Sequence, residues 1–423
     1  MVRTRRSGLT APPHPASSAA GRLLLLLVAL LVAGCSMSIA GSPTTPAASD
    51  GTNTSAAGTV STSTSGAAVV QQPDVVSVSA AGDVSGILAD LQTFWQQSIG
   101  AEFTPLRSGY ALIDTSATTV PAGAMCVTAM DSLRGNAYYC PGNDGIVIDA
   151  AALVPVLLHS YGVGGLTASI AHEFGHAIQA RIGPTAGQHS GDPQRYPQIL
   201  LEAQADCSAG AFLQWVDSGK STHVKLPTTS MLSAISPLLD FRDPTDGSRT
   251  DDLAHGLGLD RLRFVLAGVR GGPAACHAMT VADLRLTLGR SGMHPQSTPR
   301  FASDSAVAAA AVTSVSVFAR TPAIDVAPAP VDLAAASPYG QFAQAASTAF
   351  ALGGQLYPSA SGAACFTGAW TASVFGTAPT SALGSWPGDA DEAMDFIRHR
   401  GSATFAELAA FADGFDKGRP ACS

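Results

Sequence analysis

The chain carries, at residues 164–184, the stretch GGLTASIAHEFGHAIQARIGP. Its larger apolar residues recur every four positions from Leu166 to Ile178, which is the spacing of one face of an α-helix. Two glycines precede the periodic part and a Gly-Pro pair follows it, and both are signals found at helix ends. The pattern therefore predicts one buried helix from Leu166 to Ile182.

Within this helix, residues 172–176 form an HExxH motif. Residues four apart on a helix share a face, so His172 and His176 can both reach one tetrahedral zinc ion at about 2.0–2.1 Å. Glu173 lies next to the first ligand, where it can accept a proton from a water whose pKa the metal lowers to about 7. A short motif also arises by chance, and the alternative is a structural helix with surface histidines. A third ligand is needed to favour the zinc site.

A second helix is predicted from Pro197 to Val216, where proline suits a first turn. Its apolar stripe consists of Leu200, Ala203, Cys207, Ala211 and Trp215. Glu202 and Asp206 are four apart on the other face, so Glu202 can complete the zinc ligands while Asp206 accepts the free N–H of one histidine, expected to be His172. The alternative is a solvated helix face, but only 13% of the chain is charged. We therefore expect a metal centre.

Several segments together resemble the bacterial neutral zinc metallopeptidase family. They are Tyr139–Pro141 with Ile146–Asp149, His172–Gln179, Leu201–Gly210, and His255-Gly256 with Arg261, Gly268 and Gly272–Cys276. The resemblance covers roughly Asp83 to Cys276 and implies a zincin-like fold, a zinc cofactor and peptidase activity. The Glu-x-x-x-Asp arrangement is also similar to that of thermolysin-like enzymes, which implies Glu202 as third ligand and Asp206 as histidine partner. The chain departs from the family's pattern at Ala177 and Ala203, and neither residue is an expected ligand.

Attack on a carbonyl builds an oxyanion that needs a donor besides zinc. His255 is the candidate, because it precedes Gly256 in the segment that closes the resemblance. A plain surface histidine is the alternative. Tyr139 and Tyr161 are weaker candidates, since such tyrosines are more often packed in a core.

The amino terminus has the pattern of an export signal. Four arginines precede or border an apolar run that starts at Leu23 and is too short to span a bilayer comfortably. The run ends in Val32-Ala33-Gly34-Cys35, which resembles a bacterial lipobox, so residues 1–34 are expected to be a lipoprotein signal and Cys35 the lipidated first residue. Cleavage near Gly41 without lipid is the alternative. Loss of the four arginines takes the formal net charge from −8 to −12, which argues against nucleic acid.

Composition divides the rest of the chain. Residues 35–75 are rich in Ser, Thr, Ala, Gly and Pro and predict a disordered tether. We expect a metallopeptidase-like domain at 76–280, a linker at 281–300 and a mostly helical, non-catalytic domain at 301–423.

The last domain contains a degenerate repeat of the first. The matched segments are 323–325 with 147–149, 346–355 with 170–179, 364–370 with 206–212, and 414–422 with 268–276. Thr348, Ala349 and Leu352 stand at the HExxH positions, so the second copy has no zinc ligands. The alternative is an unrelated Ala-rich extension.

Six cysteines remain after Cys35, an even number in an exported protein, and they allow 15 connectivities by counting. If each repeat closes itself, the pairs are Cys207–Cys276 and Cys365–Cys422, which leaves Cys126–Cys140 across a short hairpin.

The sequence thus predicts a predominantly α-helical α+β zincin-like peptidase, anchored outside the cytoplasmic membrane through Cys35 and acting on a peptide or protein. The alternatives are a cell-surface binding or scaffold lipoprotein with a structural zinc site, and an amidase acting on cell-wall peptides. Nothing in the sequence indicates the substrate's identity or the oligomeric state.

Overall fold

The structure, a computed structural model, describes residues 70–71, 78–227, 230–244, 254–287, 300–319, 331, 333–375, 383–384, 386 and 388–423. The expected signal at 1–34, Cys35, nearly all of the 35–75 tether, much of the 281–300 linker and the repeat segment 323–325 lie outside the described residues. The described chain is mostly helical with one small mixed sheet, which confirms the predicted predominantly α-helical α+β class.

Four strands form the sheet, in the order β1-β2-β4-β3. They are β1 Val70–Gln71, β2 Gly109–Ile113, β3 Ala137–Cys140 and β4 Gly145–Asp149. The first three in that order run parallel, and β3 folds back antiparallel on β4, so β3 lies at the edge of the sheet. Strand β1 falls inside the expected tether at 35–75, where Val70 and Gln71 pair with β2.

The described part of the first unit, up to residue 280, contains seven α-helices, of which the third packs against β3 and β4. They are α1 Val78–Ile99, α2 Met130–Leu133, α3 Leu153–Ile182, α4 Ala186–Gly191, α5 Gln198–Asp217, α6 Met231–Asp240 and α7 Gly258–Ala278. Among the described helices, α3 is long and apolar enough to cross a membrane, but half of its apolar window is buried inside the protein. With the HExxH motif on it, α3 is the central core helix.

The start of α3 differs from the prediction. The helical geometry is interrupted at Gly162 (φ 69°), not at Gly164 and Gly165, which lie within the helix. Both of these glycines are buried, and a side chain at Gly164 would press on Ala234 of α6. They are therefore close-contact positions rather than a helix stop. The other end matches the prediction, since Gly183 (φ 85°) caps the helix before Pro184.

Helices α5 and α7 cross at very short range. A Cβ atom at Gly268 would collide with the carbonyl oxygen of Cys207, and one at Gly210 would collide with that of Val265. The disulfide Cys207–Cys276 joins the same two helices, with Cα atoms 5.4 Å apart. Close backbone approach and a covalent link fix α5, which carries Glu202 and Asp206, against α7.

The C-terminal unit is entirely helical in its described residues. Its helices are α8 Asp304–Ala319, α9 Leu333–Ala336, α10 Gln341–Leu356, α11 Ala360–Val374, α12 Asp389–Arg398 and α13 Phe405–Lys417. Apolar side chains of both units belong to one continuous core cluster. The two units therefore pack directly on each other.

The crossing of α11 and α13 repeats that of α5 and α7. A Cβ atom at Gly414 would collide with the carbonyl oxygen of Cys365, and one at Gly368 with that of Phe411. The disulfide Cys365–Cys422 again has a Cα separation of 5.4 Å. The same glycine and cysteine spacings thus make the same contacts in both units, which supports the expected repeat.

The third disulfide joins Cys126 to Cys140, so all three pairs are those expected from the sequence. Its position differs from the expectation, however. The hairpin consists of β3 and β4, whereas Cys126 lies in the loop before α2 and ties that loop to the end of β3. Met125 and Val127 of this loop pack with residues of β2 and β4 in a small cluster separate from the main core.

Candidate metal centre

Helices α3 and α5 bring three of the predicted residues to one point. The ligand atoms of His172, His176 and Glu202 all lie within 4.8 Å of one another. Nε2 of His172 is 3.2 Å from Oε2 of Glu202, and Nε2 of His176 is 3.6 Å from its Oε1. The helices can approach because α3 has Gly175 at their contact, where a Cβ atom would be only 2.8 Å from the Cα atom of Ala205.

The charge distribution of this cluster fits a bound cation. Oε1 of Glu202 accepts a hydrogen bond from the Gln198 amide at 2.7 Å, whereas Oε2 is buried without a hydrogen-bond donor among the described residues. Burial would raise the pKa of Glu202, but the neighbouring histidines hold it well below its usual range. Burial would lower the pKa of His172, but the hydrogen bond to Asp206 and the adjacent Glu202 carboxylate outweigh this and raise it to about 10. The pocket therefore draws positive charge, and its nitrogen and oxygen donors suit zinc.

His172 is oriented from behind, as expected. Its Nδ1 lies 2.7 Å from Oδ1 of Asp206, which leaves Nε2 directed at Glu202. Asp206 is itself held by Arg261, whose Nε and Nη2 donate to Oδ2 and Oδ1 at 2.8 and 2.7 Å. All three side chains are buried, so the ion pair keeps Asp206 charged and the imidazole in one tautomer. The sequence pointed to Arg261 only as part of a resemblance, not in this role.

His176 has a support that the sequence analysis missed. Its Nδ1 lies 3.0 Å from Oε1 of Gln179, one turn further along α3. The amide group of Gln179 donates to the Leu201 carbonyl at 2.7 Å, and its Nε2 lies 3.3 Å from Oε1 of Gln204. The signal was available, because a residue three positions after a ligand lies on the same helix face.

Glu173 lies beside the cluster and is not part of it. Its Oε2 accepts the backbone N–H of Tyr139 on β3 at 3.0 Å, and the carboxyl group is 4% exposed. Burial raises the pKa of Glu173, which increases the proton affinity of its carboxylate. A carboxylate held in this way, next to a cation site, has the character of a general base.

His255 lines the same cavity as Glu173. Its Nε2 is 3.5 Å from Oε2 of Glu202, and its Nδ1 is 3.9 Å from Oδ1 of Asp243. The two tyrosines considered as alternatives are engaged elsewhere, with the hydroxyl of Tyr139 donating to Asp144 and that of Tyr161 to Asp240. His255 is therefore the better placed donor.

A cavity of about 60 Å³ opens in front of these groups. It is lined by Gly135, Asn136, Ala137, Leu153, Ser169, His172, Glu173, Leu238, Phe241, His255 and Arg261. The edge strand β3 forms one side of it. Ala137 and Tyr139 turn their backbone N–H groups away from β4, toward Asn136 Oδ1 and Glu173 respectively. The site thus combines a cation pocket, a buried carboxyl group and a cavity bordered by an edge strand.

An HExxH helix with a third carboxylate ligand from a following helix defines a zincin-type metal centre. The family model described as "Putative neutral zinc metallopeptidase" matches residues 3–279, well over half of the chain. The chain therefore belongs to this family, as the motifs led us to expect. The match includes all the site residues named above and ends before the C-terminal unit. Neither the curated proteins nor the solved structures contain a match to this chain.

Proposed function

We propose that this chain is a zinc-dependent peptidase that cleaves peptide bonds outside the cytoplasmic membrane. One observation carries the proposal. The ligand atoms of His172, His176 and Glu202 converge to within 4.8 Å, and the buried carboxyl of Glu173 faces the same cavity as His172. A purely structural zinc site has no need of a buried base beside a cavity.

The residues divide the chemistry among them. When bound, zinc supplies Lewis acidity, which polarises a carbonyl group and lowers the pKa of water to about 7. Glu173 accepts the proton of the attacking water and delivers it to the departing amine, a reversal that its raised pKa favours. His255 lines the same cavity, and its Nε2, 3.5 Å from Oε2 of Glu202, can donate to the oxyanion of the tetrahedral intermediate.

The edge of the sheet supports a peptide substrate. An extended peptide can add a strand to an exposed sheet edge through main-chain hydrogen bonds. Strand β3 is the edge strand of the described sheet, and Ala137 at its start lines the same cavity as Glu173 and His172. A peptide lying along Ala137 in this cavity would pass beside Glu173.

The location outside the cytoplasmic membrane is proposed from the N-terminal signal pattern and the disulfides. The segment 1–34 has the charge and apolar pattern of a lipoprotein signal, and three disulfides are typical of an oxidising compartment. We expect Cys35→Ser to release the protein from the membrane fraction and to abolish incorporation of labelled palmitate. If Cys35→Ser stays in the membrane fraction and the wild-type protein incorporates no labelled palmitate, the lipid anchor is contradicted.

The function is tested on the chain from residue 35 carrying Cys35→Ser, with zinc measured by mass spectrometry and cleavage by release of casein fragments. We expect one zinc per chain and turnover that is lost in Glu173→Gln, by about 10²- to 10⁴-fold, with zinc retained. Glu202→Gln should lose both turnover and bound zinc. Glu102→Gln, an exposed change of the same type, should behave as the wild type.

Each other outcome argues against a defined part of the proposal. Bound zinc without turnover in any of the proteins contradicts a peptidase and favours a surface scaffold with a structural metal. Absence of zinc from the wild-type protein contradicts the ligand assignment itself.

A further inference from the structure

Helix α12 of the C-terminal unit reaches the first turn of α7 in the peptidase unit. Asp391 on α12 accepts the backbone N–H groups of Gly258 and Leu259, both at 2.8 Å. Its side chain is fully buried. The first N–H groups of a helix lack partners within that helix, and a carboxylate there is stabilised by the helix dipole. The C-terminal unit therefore caps a helix of the peptidase unit.

The same helix holds the segment that follows α6. Arg242 donates to Asp395 at 2.7 Å and lies 3.4 Å from Asp391. Arg398 donates to Asp240, the last residue of α6, and to the Ser236 carbonyl. One face of α12 thus binds both chain segments that border the cleft.

These two segments are also bound to each other. Asp243 N–H donates to the Gly256 carbonyl at 3.0 Å, and Gly256 N–H donates to Oδ2 of Asp243 at 2.7 Å. Arg261, which holds Asp206, also donates to the Phe241 carbonyl at 2.8 Å. His255 directly precedes Gly256, and its Nδ1 lies 3.9 Å from Oδ1 of the same Asp243 that binds Gly256. Its position depends on this assembly.

We propose that Asp391 is a positioning residue for His255. The C-terminal copy has no zinc-ligand side chains at its own HExxH positions, and through Asp391 it completes the cleft of the first copy. The inference rests on the proposed function. The competing explanation is ordinary packing between units. Other ion pairs join the same units, for example Arg270 with Asp413, but neither residue contacts the cleft segments in the described contacts.

A double-mutant cycle on the full chain separates these explanations. The variants are Asp391→Ala, His255→Ala and the double variant, each assayed for kcat, KM, zinc content and thermal stability. We expect Asp391→Ala to lower kcat by about 10- to 100-fold with zinc retained and KM within about twofold, because an oxyanion donor acts in the transition state. On the His255→Ala background the same change should lower kcat by less than about twofold, since the interaction is already lost.

The control is Asp413→Ala, which breaks an exposed ion pair between the units and should leave kcat unchanged. If Asp391→Ala does not fold, Asp391→Asn keeps the size of the side chain and enters the cycle instead. An effect on kcat that is equally large with and without His255 would overturn the inference, as would loss of stability with full kcat. Absence of turnover in the wild-type protein would instead refute the proposed function.

Discussion

Arg261 donates hydrogen bonds to both carboxylate oxygens of Asp206, and one of those oxygens, Oδ1, also lies 2.7 Å from Nδ1 of His172. Asp206 and Arg261 are 55 positions apart in sequence, on α5 and α7. The metal-ligand geometry on α3 therefore depends on a third helix that contributes no ligand. Since the Cys207–Cys276 disulfide joins the same α5 and α7, the fold and the site are stabilised together.

Arg261→Met should strongly destabilise the protein. The change leaves the fully buried Asp206 carboxylate without its cation, and removing one partner of a buried pair costs about 3–5 kcal/mol. The free energy of unfolding in urea measures the loss. Arg134→Met removes an exposed pair with Asp131 and should cost less than about 1 kcal/mol. Equal losses in the two variants would contradict a special role for Arg261.

Gln179→Leu should weaken zinc binding without removing a ligand. The variant deletes the acceptor of the His176 Nδ1 proton, and losing such a partner typically costs about 10- to 100-fold in metal affinity or activity. Competition with a chromophoric chelator measures the affinity. Gln188→Leu, on the short surface helix α4, is the matched control. A zinc affinity equal to that of wild type would show that Gln179 does not orient His176.

Loss of the Cys207–Cys276 disulfide and loss of the Cys365–Cys422 disulfide should have different effects on zinc affinity. They close loops of similar length, with sequence separations of 69 and 57, so replacing either pair with alanines should cost a similar stability, about 4 kcal/mol. Only loss of Cys207–Cys276 frees α5 and α7, which hold Asp206 and Arg261. We expect zinc affinity to fall in that variant and to stay unchanged without Cys365–Cys422. Equal changes in zinc affinity would refute this coupling.

Asp90 of α1 binds the loop that follows α5. Its buried carboxylate accepts from the Ser221 hydroxyl, from the backbone N–H groups of His223 and Val224, and from the His223 ring. Burial would raise the pKa of Asp90, but these hydrogen bonds outweigh it and lower the pKa to about 2. Because the folded pKa is depressed, the stabilisation is present above the unfolded value near 4 and is lost as the pH falls toward 2.

Asp90→Asn should therefore destabilise the protein by about 2 kcal/mol at pH 7, and the difference from wild type should shrink as the pH falls from 4 to 2. Urea unfolding is followed across this range with zinc removed from both proteins by a chelator, so that metal release does not contribute. Asp131→Asn, at an exposed carboxyl, should give no such narrowing. A difference that is constant with pH would contradict the depressed pKa of Asp90.

The sequence identified residues whose relation is local. His172, Glu173 and His176 are set by helical spacing within one element, and Glu202 and Asp206 by the same spacing within another. Gln179 was missed although it follows the same rule. Arg261 and Asp391 could not be assigned their roles in this way, because nothing in their spacing to Asp206 or to Gly258 shows which helices cross. The repeat was the exception, since its matched segments indicated the disulfide pairs Cys207–Cys276 and Cys365–Cys422, although not the helix crossings that accompany them.

The sequence by itself determined the class of site, because backbone geometry alone places residues four apart on one helix face and zinc accepts few donor sets. It also determined the helical character of both units. Only the tertiary structure decided which residues stand behind the ligands, that α12 of the ligand-free copy caps α7, and that β3 presents its edge to the base. Burial of apolar surface drives helices together without specifying direction, whereas the glycine contacts, buried ion pairs and disulfides fix each crossing only once the chain has folded.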